Sequence, residues 1–144
     1  MAKTDPIVKE ILIKGSPAQV WKAITDKEEM KKWYFDIKEF RAEVGFPFEF
    51  WGGTEEKQYL HKCVIKEVIP NEKLSYSWKY DGYDGDSLVT LLIIPKGSET
   101  LVRLTHEGIH TFPEDNKDLV RGNFDGGWEA LIHDSLPNHV QHYS

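Results

Sequence analysis

His61 and Cys63, two positions apart, and His106 further along are the side chains whose types could do chemistry together. Imidazole nitrogen and thiolate sulfur are both zinc ligands. Zinc sites, however, draw their ligands from close pairs that recur along the chain. No second pair accompanies His61 and Cys63, so the spacing speaks against a metal, and no cofactor is expected. A thiolate beside an imidazole is also a nucleophile beside its base. That device needs a third residue to orient the base, and none is visible; a lone cysteine in an apolar stretch reads as a small core residue. Either histidine is of the type that serves as a general base in a cyclase or hydrolase, but no acid–base pair that must act together is present.

Weaker patterns resolve to structure. Asp81, Asp84 and Asp86 with Gly82 and Gly85 lack the full calcium loop and its closing glutamate, and read as a solvated turn. No Gly-Lys-Ser/Thr phosphate loop or dinucleotide fingerprint occurs. His139 and His142 read as a solvated helix end.

The elements that must hold these residues follow from periodicity. Ile7 to Ile13 reads as a strand. Ser16-Pro17-Ala18-Gln19 opens a helix, with Ser16 as cap, Pro17 at the first helical position and Gln19 closing a capping box; Val20, Ala23 and Ile24 form its apolar face. Asp26-Lys27-Glu28-Glu29 repeats the start signal for a second short helix ending near Trp33-Tyr34. From Ile37 to Gly108 the pattern is β. Phe46, Phe48 and Phe50 alternate, and Gly52-Gly53 marks a turn. Tyr59 to Ile69 is a long strand closed by Pro70-Asn71-Glu72, after which Leu74, Tyr76 and Trp78 alternate with Ser75 and Ser77. Beyond the aspartate loop, Ser87 to Ile94 is a strand that Pro95 ends, and Lys96-Gly97-Ser98 turns the chain into Thr100 to His106.

The last third changes period. Val120, Phe124, Trp128, Ile132, Leu136 and Val140 recur every fourth residue beside Leu131, one stripe down a long helix. Glu114, Asp115 and Asp118 cap and charge its start. Gly126-Gly127 weakens it by about 1 kcal/mol per glycine relative to alanine, and reads as a place where another backbone comes close. Pro137 kinks the helix or removes a hydrogen bond.

Sequential strands joined by short turns make an antiparallel sheet, which must bury one face. The expected class is α+β: a curved antiparallel sheet of about six to seven strands wrapped around a long C-terminal helix, with two short helices after the first strand, forming one domain over residues 1–144. With Ile65 inward, Tyr59, His61 and Cys63 share its face. Phe46, Phe48, Phe50, Tyr76 and Trp78 face the same space, as do Val89, Leu91, Ile93, Val102, Leu104 and His106. The helix adds Phe124, Trp128, Leu131 and Ile132. A mostly apolar wall with a few polar groups, here His61, Tyr76 and His106, is what small-molecule pockets look like; the same residues equally describe a filled core.

Composition bounds the partners. With 40% hydrophobic and 29% charged residues, the chain is globular in type. A net charge of -6 argues against nucleic acid, whose phosphates need a basic surface. A single cysteine cannot form an internal disulfide, and neither a signal-peptide stretch nor a membrane-spanning run is visible, so a cytoplasmic location without membrane contact is expected.

Several local motifs resemble the START-like (SRPBCC, birch-pollen-allergen-like) superfamily, and within it the domains related to the C-terminal domain of the activator of heat-shock-protein-90 ATPase. The motifs are Ser16-Pro17-Ala18-Gln19-Val20-Trp21, Lys32-Trp33-Tyr34, Pro70-Asn71-Glu72-Lys73-Leu74 with Tyr76 and Trp78, Leu104-Thr105-His106-Glu107-Gly108, and Gly127-Trp128-Glu129-Ala130-Leu131. The resemblance implies a helix-grip fold. It leaves function open, because the superfamily holds lipid and polyketide carriers, cyclases, hormone receptors and cochaperone domains on one scaffold. The expectation is non-enzymatic binding of a hydrophobic small molecule, lipid-like or flat and aromatic. The alternatives are a chaperone-associated, ATPase-activator-like protein with a stress-response role, working through the sheet's outer face around Trp51 to Thr54, and an enzyme using a cavity histidine.

Overall fold

The alternating stretches become six strands: β1 (Ile7–Ile13), β2 (Pro47–Gly53), β3 (Gln58–Ile69), β4 (Lys73–Tyr80), β5 (Ser87–Lys96) and β6 (Glu99–Glu107). The computed structural model describes residues 6–35, 37–53, 57–113, 116, 119 and 121–143. The strands pair antiparallel in the order β1-β6-β5-β4-β3-β2, an open curved sheet with β1 and β2 at its edges. Its alternation is clean where one face meets water: β5 and β6 bury every second residue. The register puts Ile93 opposite Val102, Leu91 opposite Leu104 and Val89 opposite His106, so one face of both strands enters the core.

Between β1 and β2 lie α1 (Pro17–Thr25) and α2 (Lys27–Trp33). The capping box forms as expected: Gln19 N–H donates to Ser16 Oγ at 3.2 Å, and Ser16 N–H donates to Gln19 Oε1 at 2.7 Å. Asp26 caps α2 through Glu28 N–H at 2.9 Å. After β6 come a 3-10 turn (Ile109–Thr111), α3 (Arg121–Ala130), a π turn (Leu131–Ser135) and α4 (Leu136–Tyr143). The buried stripe of Phe124, Trp128, Ile132, Leu136 and Val140 joins one core with the sheet's inner face, the helix-grip arrangement.

The π turn has a cause in the sequence. Steps of four residues overshoot an α-helical turn by about 40° each, so a strict four-residue stripe would wind off the core. A π turn closes its hydrogen bonds over five residues, here Leu136 N–H to the Leu131 carbonyl, and winds the stripe back. Pro137, which has no N–H to give, follows directly and is buried.

Four local expectations change. The stretch from Ile37 to Phe46 is irregular rather than β, since Phe46 N–H bonds back to the Glu43 carbonyl at 3.0 Å and Gly45 turns the chain at φ +88. Gly52 and Gly53 end β2 rather than forming a turn. Pro95 lies inside β5: the pairing with β4 ends at Lys73 opposite Leu92, with Ile93 N–H donating to the Glu72 carbonyl at 2.8 Å, so the proline two residues on takes no donor from that ladder. His139 is buried, with Nε2 2.9 Å from Glu29 Oε1, rather than solvated. The expected roles of Val120, Glu114, Asp115, Asp118, Thr54 and the His142 side chain lie outside the described residues.

Candidate functional site

A cavity of about 370 Å³ lies between the inner face of β3–β4 and helix α3. Strand parity brings Tyr59 and His61 from β3 and Trp78 and Tyr80 from β4 to its wall; the helix supplies Phe124, Trp128 and Leu131. Phe35, Gly52 and Leu119 close further sides. The mouth is paved by Gly122, Asn123, Gly126 and Gly127, all exposed. A Cβ placed on any of these three glycines meets nothing within 4 Å. The glycines therefore do not admit a neighbouring backbone; they leave open space at the cavity entrance. Gly52 is different. A Cβ there would stand 2.8 Å from the Phe35 ring and 3.2 Å from the His61 ring, so the missing side chain lets both rings pack on β2.

Of the residues read from the sequence as candidates, Tyr59, His61, Trp78, Phe124, Trp128 and Leu131 meet at this cavity. Phe50 stands directly behind it, stacked on His61 at 4.5 Å and on Phe35 at 4.4 Å. Phe48, Cys63, Tyr76, Leu91, Leu104 and His106 are buried but do not line it. Tyr76 shares its hydroxyl with Tyr34 at 2.9 Å, and burial raises the pKa of both phenols. Burial likewise raises the Cys63 thiol, which keeps it protonated and unreactive. Tyr80 was one alternation step beyond Trp78 and legible on that ground. Phe35 was not, because it arrives from an irregular connection.

His106 is locked. Trp128 Nε1–H donates to its Nδ1 at 2.9 Å, so the ring proton sits on Nε2 and is donated to Ser87 Oγ at 2.8 Å; Ser87 in turn donates to the Trp78 carbonyl at 2.8 Å. With both nitrogens engaged and no exposed surface, burial lowers its pKa to about 3. His61 is less fully engaged, with one ring hydrogen bond to the Tyr59 carbonyl and the Phe50 backbone close by. Nδ1 lies 3.0 Å from the Tyr59 carbonyl, which can only accept, so Nδ1 carries the proton and Nε2 of the neutral ring carries the lone pair. Burial lowers its pKa to about 4, against the opposing pull of the Tyr59 and Phe50 carbonyls. The Tyr80 hydroxyl accepts from Trp78 Nε1–H at 2.9 Å, which leaves its own proton to give.

Among the described residues no Asp, Glu, Lys, Arg or Cys lines the cavity, and no group of three or more His, Cys, Asp or Glu is placed to hold a metal ion. No helix is long and apolar enough to cross a membrane. The wall is largely apolar and aromatic; its polar side chains include the His61 imidazole, the Tyr59 and Tyr80 hydroxyls and, at the mouth, the Asn123 amide.

Comparison with known proteins places this arrangement. The family model described as activator of Hsp90 ATPase homolog 1-like protein matches residues 14–141. Protein CV1439 from Chromobacterium violaceum superposes with a TM-score of 0.79 at 21% identity, covering 95% of this chain and 97% of its own. MLL2253 from Mesorhizobium loti gives 0.77 at 23% identity, covering 96% and 98%. CalU16 from Micromonospora echinospora gives 0.73 at 25% identity, covering 95% and 76%. No curated protein matches the sequence.

Proposed function

The chain belongs to the activator of Hsp90 ATPase homolog 1-like family, of START-like fold, and from that membership we propose that it is a non-enzymatic domain that binds a hydrophobic small molecule between its sheet and its last helix. The observation that carries this reading is the open mouth of the cavity. Three glycines in ten residues of α3 weaken the helix by about 1 kcal/mol each, and neither a turn nor a close backbone contact requires them. What they leave is an entrance.

The volume, about 370 Å³, is near the lower end of the ligand pockets of globular proteins, roughly 300–1,000 Å³. That size suits a flat ring system better than a long acyl chain. Burying about 200 Å² of apolar ligand surface contributes about 5 kcal/mol before ordering costs. The non-enzymatic reading is supported by the cavity wall: His106 lies behind it with both nitrogens used, and among the described residues no carboxylate lines the cavity beside His61 to pair with it as acid and base. Native mass spectrometry of the protein as purified, with a ligand-observed NMR screen of flat aromatics and lipids, tests the proposal. A co-purified apolar molecule or cavity-mapped shifts supports it; no binding by any class overturns it.

A second reading has one observation in its favour. Trp51 is 62% exposed on the edge strand β2, where an indole costs apolar exposure without packing in return. A chaperone-associated role would use that surface rather than the cavity. Stimulation of a chaperone ATPase that is lost in Trp51→Ala supports it; no stimulation and no recovered chaperone removes it.

A further inference from the structure

Among the described residues lining the cavity, His61 and Tyr80 have hydrogen-bonding capacity that is complementary in sense. His61 presents a lone pair on Nε2, because Nδ1–H is committed to the Tyr59 carbonyl. Tyr80 presents an O–H, because its oxygen is already the acceptor for Trp78 Nε1–H. The two rings are adjacent, with centroids 4.7 Å apart and planes at 60°, and both line the cavity. One acceptor beside one donor, walled by Trp78, Trp128 and Phe35, selects a ligand group that both donates and accepts.

We propose that the cavity takes a planar aromatic bearing a hydroxyl group, which donates to His61 Nε2 and accepts from the Tyr80 hydroxyl while its ring lies among the aromatic side chains. This rests on the small-molecule reading above and narrows it. An ether or ketone oxygen can only accept and leaves the His61 lone pair unmatched. A carboxylate also only accepts, and its charge enters an apolar wall with no cation among the described lining residues. To donate to it from Nε2 the neutral ring would have to give up its Nδ1–H bond to the Tyr59 carbonyl, and burial disfavours a second proton at physiological pH.

The test uses the whole chain and four probes of nearly equal area: naphthalene, 2-naphthol, 2-methoxynaphthalene and 2-naphthoate. Binding is read at pH 7 from the fluorescence of the cavity-wall tryptophans Trp78 and Trp128, with ligand-observed NMR as the independent measure. The expected result is that 2-naphthol binds about tenfold more tightly than naphthalene or 2-methoxynaphthalene, the effect of one to two satisfied buried hydrogen bonds, and that 2-naphthoate binds weakest. In His61→Phe, which keeps a flat ring but removes the acceptor, the advantage of 2-naphthol over 2-methoxynaphthalene falls to near onefold. The ratio is taken within each protein, so a general loss of stability does not imitate it. Equal binding of the three uncharged probes overturns the inference while leaving an apolar cavity intact, as does tightest binding of 2-naphthoate. Failure of all four to bind the unaltered protein overturns both this inference and the reading beneath it.

Discussion

The indole of Trp128, on the last helix, donates a hydrogen bond to the imidazole of His106, on the last strand, at 2.9 Å. Both residues are buried, so the bond ties helix to sheet away from water. Its removal leaves an unmatched buried acceptor, which costs about 1–3 kcal/mol in addition to lost packing. Trp128→Phe is therefore expected to lower unfolding free energy by at least about 2 kcal/mol in urea titration. A double-mutant cycle with His106→Leu should return a coupling of about 1–2 kcal/mol; additivity would show that the pair does not act as a unit.

Acid should destabilise the fold through the two buried imidazoles. In the unfolded chain a histidine binds its proton near pH 6.5, whereas in the fold His61 does so at about 4 and His106 at about 3. Between those values the unfolded state holds more protons, so stability is complete above about pH 6.5 and declines as pH falls, by about 2 kcal/mol per histidine at pH 5. Denaturation midpoints between pH 7 and pH 4 measure this. A flat profile, or one unchanged in His106→Leu, contradicts it.

The entrance glycines set stability against access. Gly122→Ala and Gly126→Ala meet open space, so each should raise stability by up to about 1 kcal/mol through helix propensity alone. Gly126→Phe should preserve the helix and reduce probe binding by tenfold or more by covering the mouth. Thermal melts and the fluorescence titration together decide: a larger side chain that leaves binding unchanged would place the entrance elsewhere.

Pro137 should prove nearly harmless. In a regular helix interior, proline costs about 3 kcal/mol. Here the preceding turn already bonds Leu136 N–H to the Leu131 carbonyl over five residues, which widens the backbone where the ring would clash. Pro137→Ala is expected to gain less than about 1 kcal/mol in chemical denaturation. A gain near the full helix-interior value would mean that the π turn does not relieve the proline.

Gly52→Ala carries the opposite sign to the entrance glycines. Its Cβ would press on Phe35 at 2.8 Å and His61 at 3.2 Å, so a loss of about 1–3 kcal/mol is expected from overpacking. A substitution tolerated without loss would show that Phe35 can move aside, and that this cavity wall is soft.

Much of the fold was legible because side-chain direction repeats along the chain. Tyr59, His61 and Cys63 were placed on one face by their spacing alone, and the structure buries all three. The Ser16–Gln19 capping box and the stripe from Phe124 to Val140 were equally readable. The site was legible only in part. Tyr76 and His106 were grouped with His61 as polar wall, yet each is absorbed by the core through a partner far away in sequence, Tyr34 and Trp128. Gly126 and Gly127 were read as room for a backbone, when the room is empty. Phe35 carried no signal at all, since it sits in a connection without period.

Local periodicity determined on its own which residues turn inward, where helices begin, and that the final segment matches the sheet. It does so because backbone geometry fixes the direction of each side chain relative to its neighbours. Whether two inward faces touch or stand apart was decided only in three dimensions. That outcome is a small difference between the volume the curved sheet encloses and the volume the side chains fill, and it depends on contacts such as Phe35 with Gly52 that join distant stretches of chain.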